Sequence, residues 1–329
     1  MQAPKGGSMA DGNTAAVAAR RVRFDDLIPC TAAFIDAKTP GSHLKENFTI
    51  VGPGVAENPR QHVHIRAPHG FNIGAARQPP GIVNSNHSHE TAEVFMVHSG
   101  QWRFTWGEHG EDGHVDIDVG DIISIPTQVF RGFLNIGAEP GFLFAVLGGD
   151  DPGHVTWAPD VIRKATGHGL ILLTDGRLID TTEGDVIPAD GVVEQPLDAA
   201  ALKRFKRITA DAMGLARGGS GPAVALLPGF PPVRRAIGTR EASIAWPHGF
   251  ELFVVEAGPC TSAPFSLPVP TVAIVHSGSW RWQSDRGSVD LGPGDTFSIP
   301  EGVTATLDQS ASSGTLWLVT SGDDLLTQV

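Results

Sequence analysis

Apolar and polar residues alternate with period two in short runs along much of this chain. Glu93 to His98, Trp102 to Trp106, His114 to Val119 and Ile122 to Ile125 are such runs in the first half. Phe250 to Val255, Thr271 to Val275, Trp280 to Trp282 and Leu316 to Val319 are others in the second. Side chains on a strand point alternately to its two faces, so each run predicts a strand with one buried face, and the intervening Gly, Pro and Asp predict turns. Leu170 to Thr174, Asp175-Gly176 and Arg177 to Asp180 predict a hairpin with a type I′ turn. One segment carries a helical period instead. From Asp198, a candidate N-cap, apolar residues recur at Ala201, Leu202, Phe205, Ile208 and Ala212, and Gly214 follows Met213. The spacing predicts a helix over 198–213, with Lys203, Arg204, Lys206 and Arg207 as a solvated face.

The pattern repeats. Pro68-His69-Gly70-Phe71 returns as Pro247-His248-Gly249-Phe250, and Val97-His98-Ser99-Gly100 with Trp102-Arg103 returns as Val275-His276-Ser277-Gly278 with Trp280-Arg281. Gly120-Asp121 and Ser124-Ile125-Pro126 return as Gly294-Asp295 and Ser298-Ile299-Pro300. Phe144-Ala145-Val146, leading to Asp150-Asp151, is echoed by Trp317-Leu318-Val319, leading to Asp323-Asp324. The offsets are 179, 178, 174 and 173 in chain order, drifting as loop insertions would make them. The chain is a tandem duplication, and runs of short strands make each copy a β-sandwich or barrel. The expected domains are a disordered lead-in (1–20), an N-terminal barrel (21–160), a connecting hairpin and helix (161–215) and a C-terminal barrel (216–329).

Composition narrows the class. The 329 residues include 40 glycines and 25 prolines, about a fifth of the chain, which favours turns between strands over long helices. With 24 Lys+Arg against 36 Asp+Glu the net charge is −12, which repels phosphate backbones and anionic lipid, so neither nucleic acid nor membrane is an expected partner. No apolar run reaches the roughly 18 residues of a membrane span. Cys30 and Cys260 form no zinc or redox spacing, and the N-terminus has no apolar core of a secretory signal, Met9 being a candidate alternative start. A cytoplasmic globular protein is expected. Tyr is absent, so tyrosyl chemistry is excluded.

The candidate chemistry lies in the first copy. His87 and His89, two apart on a strand, aim both imidazoles to one side, and Glu93 opens the apolar strand that follows. A carboxylate there requires a cation or a proton. The spacing G-x5-H-x-H-x3-E-x6-G from Gly81 to Gly100 resembles the first cupin motif without a departure, and Gly120, Pro126, Arg131 and Asn135 match the second. The resemblance is strong over about residues 70–150 and weaker over about 248–322. It implies an all-β bicupin: two double-stranded β-helix (jelly-roll) barrels, here with a short inter-barrel hairpin and helix, and a homodimer.

Two departures matter. Gln128 stands where the motif has Gly, and Arg131 stands where the family has a His as its fourth metal ligand. Arginine stays protonated and does not ligate metals. That leaves His87, His89 and Glu93, the ligand set of facial-triad non-haem iron oxygenases, so one divalent metal is expected, Fe(II) first, with Mn, Ni, Co or Zn held by the same three. Arg131 either grips a substrate carboxylate beside the metal or pairs with Glu93 and replaces the metal. By alternation Phe95 and Val97 face the cavity. Trp102, Phe104 and Trp106 share the bulky face of the next strand, as an aromatic wall for a small-molecule substrate or as packing between barrels.

The second copy has lost the set, with Phe265, Leu267, Thr271 and Ala305 at the four positions, so its interior is expected to be filled core. His62 and His64 have no Glu at motif spacing and are expected to be structural or partly exposed, and His98 is out of phase with Glu93 and should point outward. The implied function is a metal-dependent bicupin enzyme, a dioxygenase on a small carboxylated or enolisable molecule. Its rivals are a redox-neutral metal-dependent isomerase, lyase or hydrolase, and a non-catalytic small-molecule-binding bicupin.

Overall fold

The computed structural model describes residues 16–228, 230, 233–256, 262–309, 313–323 and 325. Met9, Cys260 and Asp324 lie outside them. The architecture is all-β, in two compact units: residues 28–219, and residues 220–329 together with the N-terminal segment up to Leu27.

In the first unit a seven-stranded sheet runs in the order Gly214–Ala216, Ile122–Ile125, Glu93–Ser99, Gly141–Gly148, Phe71–Gln78, Glu46–Val51, Val63–Ile65. A five-stranded sheet runs Thr156–Trp157, Val83–Ser88, Arg131–Asn135, Trp102–Trp106, Gly113–Ile117. Sequence-adjacent strands fall repeatedly in opposite sheets, the mark of a jelly roll. Their inner faces meet in a core of Phe95, Val97, Trp102, Phe104, Trp106, Ile123, Phe133 and Leu143. The second unit repeats the plan with an eight-stranded and a three-stranded sheet around Phe253, Phe265, Leu267, Trp282, Phe297 and Ala305.

The two copies also match atom by atom. Asp150 Oδ1 accepts from the backbone N–H of His69 and Gly70 (3.1 and 2.8 Å), as Asp323 Oδ1 does from His248 and Gly249 (3.0 and 2.8 Å). Trp102 Nε1 donates to Ser99 O at 2.9 Å, and Trp280 Nε1 to Ser277 O at 3.0 Å. The recurring His69 and His248 are therefore turn residues. His98 packs edge-on against Phe144 on the far side of its sheet, and His276 stacks on Trp317.

Three expectations are corrected. Residues 198–213 form no α-helix; they hold two 3-10 turns, Ala201–Arg204 and Ala210–Ala212. Tertiary partners take the backbone groups that a helix would use: Lys206 N donates to Gln128 O at 2.7 Å and Ile208 O accepts Trp106 Nε1 at 3.0 Å, while Phe205 stacks on Phe130. The α-helix of this region is Pro159–Gly167, opened by a proline in its first turn, where the missing N–H costs nothing. The hairpin forms, pairing Leu170–Leu172 with Leu178–Asp180, but Gly176 alone in its loop is left-handed (φ 84°). Gly176 N donates to Leu173 O and Leu173 N to Arg177 O, a type I turn with a glycine bulge in place of type I′. Residues 16–22, read as lead-in and first-barrel start, belong to the second unit: Arg21–Val22 pairs with Thr296–Ile299, and Arg20 Nε donates to Ser298 O at 2.7 Å. No helix among the described residues is long and apolar enough to cross a membrane.

Candidate metal centre

His87 sits near the end of Val83–Ser88, with Arg131 opposite it on one neighbouring strand and Trp157 on the other. His89 follows just past the strand end, and Glu93 opens Glu93–Ser99 in the facing sheet. The two imidazoles stand at 86° with centroids 5.1 Å apart. One donor atom from each of His87, His89 and Glu93 lies within 4.8 Å of the others, and all three residues are buried.

Hydrogen bonds orient the donors. His87 Nδ1 donates to Ser85 O at 2.7 Å, which fixes the proton there and leaves Nε2 as the free donor. Glu93 divides its two oxygens: Oε2 is taken by Arg131 Nη2, and Oε1 stands 3.7 Å from His89 Nε2, beyond hydrogen-bond reach. Arg131 Nη1 donates to His87 O at 3.0 Å. The guanidinium thus pins both the carboxylate and the strand that carries the histidines.

Burial sets the charges. It holds His87 and His89 well below the ordinary histidine range, and the Arg131 charge pushes them the same way, so both imidazoles are neutral. Burial also pushes the Glu93 carboxyl up, against the opposing pull of Arg131. Two neutral imidazoles and one carboxylate oxygen that is free of Arg131 fit a divalent ion of borderline hardness.

A cavity of about 70 Å³ opens beside these residues, lined by Asn84, Phe95, Phe133, Ala145, Leu147 and Trp157 among others. Phe95 lies on its wall. Val97, Trp102, Phe104 and Trp106 do not; they are packed in the core, each 1% exposed or less, because the bulky face turned inward fills the barrel instead of lining a void. Arg131 is likewise absent from the lining, its Nη atoms committed to Glu93 and His87. Sequence reasoning missed Asn84 and Trp157, and behind them Glu57, which accepts from Trp157 Nε1 (2.5 Å) and Ile35 N (2.7 Å). No motif spacing marks these residues. His64 is structural, with Nδ1 at 2.8 Å from Thr49 O and Nε2 accepting from Ile28 N at 3.1 Å.

Residues 75–147 match the model of the cupin domain family. By fold, the chain is a tandem bicupin. The Lactobacillus farciminis oxalate decarboxylase, in its formate complex, superposes with a TM-score of 0.56 at 13% identity, covering 92% of this chain and 86% of that one. A deletion mutant of the Bacillus subtilis oxalate decarboxylase gives 0.54 at 12% identity, covering 92% and 77%. At such identity the likeness speaks to fold alone. No curated protein matches the sequence. In the bicupin the second barrel keeps the frame and carries Phe265, Leu267, Thr271 and Ala305, all buried, at the ligand positions.

Proposed function

We propose that this bicupin is a metal-dependent dioxygenase with one working site, in the N-terminal barrel, acting on a small molecule that binds as an enolate or carboxylate. The observation that carries the reading is the division of Glu93 between Arg131 and the cluster of His87 and His89. With Glu93 already balanced by the guanidinium and both imidazoles neutral, a divalent ion held there keeps both charges uncompensated in an apolar cavity. Such a site favours an anionic, oxygen-donating ligand, and the small volume selects a compact one.

His87, His89 and Glu93 would hold the metal, which supplies a Lewis-acidic and redox-active centre with coordination positions left open by the missing fourth ligand. Arg131 keeps Glu93 ionised and aimed, so it serves as a positioning residue rather than a grip on the substrate. Phe95, Phe133 and Leu147 exclude water from the reacting molecule. Iron is the favoured ion because this three-donor set with open positions suits oxygen chemistry.

Anaerobic purification, metal quantification and an oxygen-electrode screen against small β-dicarbonyls and 2-oxo acids test this. The expected result is one metal per chain and oxygen uptake matched to substrate loss, with both abolished by His87→Ala. Turnover without oxygen uptake replaces the dioxygenase with redox-neutral chemistry at the same metal, and a metal content far below one, unchanged by His87→Ala, leaves only a binding protein. Sizing the same preparation checks the homodimer.

A further inference from the structure

Beneath the site lies a second buried ion pair that the chemistry above does not use. Asp36, in the turn Ile35–Lys38, is 0% exposed and Lys45 is 1% exposed, and Lys45 Nζ donates to Asp36 Oδ1. Burying both charges is less favourable than burying an apolar pair of the same volume, so local stability alone does not explain them. Their other bonds do. Asp36 Oδ2 accepts from the backbone N–H of Ser85 at 3.1 Å, and Lys45 Nζ donates to Asn84 Oδ1 at 2.9 Å. Nearby, Val83 N donates to Gly41 O at 2.8 Å, and the hydroxyls of Ser42 and Ser85 meet at 3.1 Å. The segment 36–45 therefore holds three consecutive residues of the strand that carries His87.

One of the three, Ser85, lies where the sheet ladder is irregular. The ladder between Arg131–Asn135 and Val83–Ser88 slips between Arg131 and Phe133: Arg131 lies opposite His87, but Phe133 lies opposite Asn84. Ser85 falls in the slip, and its carbonyl is the acceptor that fixes the His87 imidazole. Asp36 gives this irregular stretch the backbone partner that its neighbouring strand withholds.

We infer that the Asp36–Lys45 pair is a positioning device for the metal centre: through Ser85 and Asn84 it sets the direction of His87. The inference rests on the metal-site reading above, and its test separates the two. The full chain is titrated with Co(II), read by its visible d–d absorption. The variants are His87→Ala, Asp36→Asn, the double Asp36→Asn/Lys45→Met, which removes both charges together, and Arg235→Met/Glu251→Gln, which removes the buried pair of the other barrel. The double variant is expected to weaken Co(II) binding by about 10–100-fold and to alter the d–d spectrum, as loss of outer partners of a ligating histidine does. Asp36→Asn alone should weaken it about threefold or more, with the same spectral change, and carries the test if the double variant does not fold. The Arg235/Glu251 variant, whatever its stability, should bind Co(II) with the unaltered affinity and spectrum. Wild-type affinity and spectrum in both Asp36 variants overturn the inference while leaving the site intact. Failure of the unaltered protein to bind Co(II), or binding indifferent to His87→Ala, overturns both.

Discussion

The two barrels share a frame and differ in what fills the same four positions. Arg131 lies opposite His87 in the first, and Ala305 is bridged to Phe265 at the corresponding place in the second. Glu93 opens its strand beside Ile125 and Leu147, and Thr271 opens the equivalent strand beside Ile299 and Thr320. One barrel places charge and imidazole around a small void. The other closes the space with Phe265, Leu267 and Ala305 within a continuous apolar core. A jelly roll does not need the polar set, so its presence in one copy is a departure from the cheapest packing, and that copy is the one for which a metal site is proposed.

Moving residues from the second barrel into the first breaks this contrast most strongly at the ion pair. Arg131→Ala takes the second-barrel residue and leaves Glu93 buried without its cation. In metal-free protein this should cost about 3–5 kcal/mol in urea unfolding. Adding Glu93→Thr, again the second-barrel residue, should recover most of the loss, and a double variant no more stable than the single would show that the pair is not the source of the cost.

The next contrast is in pH response. Burial raises the Glu57 carboxyl to about 8, ahead of the opposing pull from Trp157 and Ile35. The folded first unit then keeps a proton that the unfolded chain releases near 4.5, so stability falls as pH rises between these values and levels off above about 8. His248 in the second unit is held down to about 4, so its contribution is present above 6.5 and is lost as pH falls toward 4. Between pH 6 and 8 the unaltered chain should lose about 2 kcal/mol of first-unit stability, and Glu57→Gln should remove that slope. Parallel urea midpoints for the two proteins across this range would disprove the assignment.

The smallest effect sits at a turn. Gln128 adopts φ 61° where its second-barrel counterpart, Gly302, adopts φ 67°. A side chain in the left-handed region is strained by about 1 kcal/mol, so Gln128→Gly should raise stability by about that much in thermal or urea unfolding. Unchanged stability would mean that the Gln128 side chain offsets the strain.

Much of this was legible in the sequence because it is local or repeated. Strand alternation, the recurring Pro-His-Gly-Phe and Val-His-Ser-Gly segments and the glycine-framed His-x-His-x3-Glu depend on residues near one another in the chain. The period of two then decides which side chains share a face. The helical pattern over 198–213 misled for the opposite reason. Its backbone groups and its Phe205 found partners at Gln128, Trp106 and Phe130, and those contacts outweighed intrinsic propensity.

The sequence by itself determined the duplication, the all-β class and the three candidate donors, since period, order and spacing are properties of the chain. Only the tertiary structure paired Arg131 with Glu93, turned the Trp102, Phe104 and Trp106 face into core, and brought Asp36, Lys45, Glu57 and Trp157 around the strand that carries His87. Each of those outcomes depends on which buried polar atom finds which partner across tens of residues, and no period in the chain encodes that pairing.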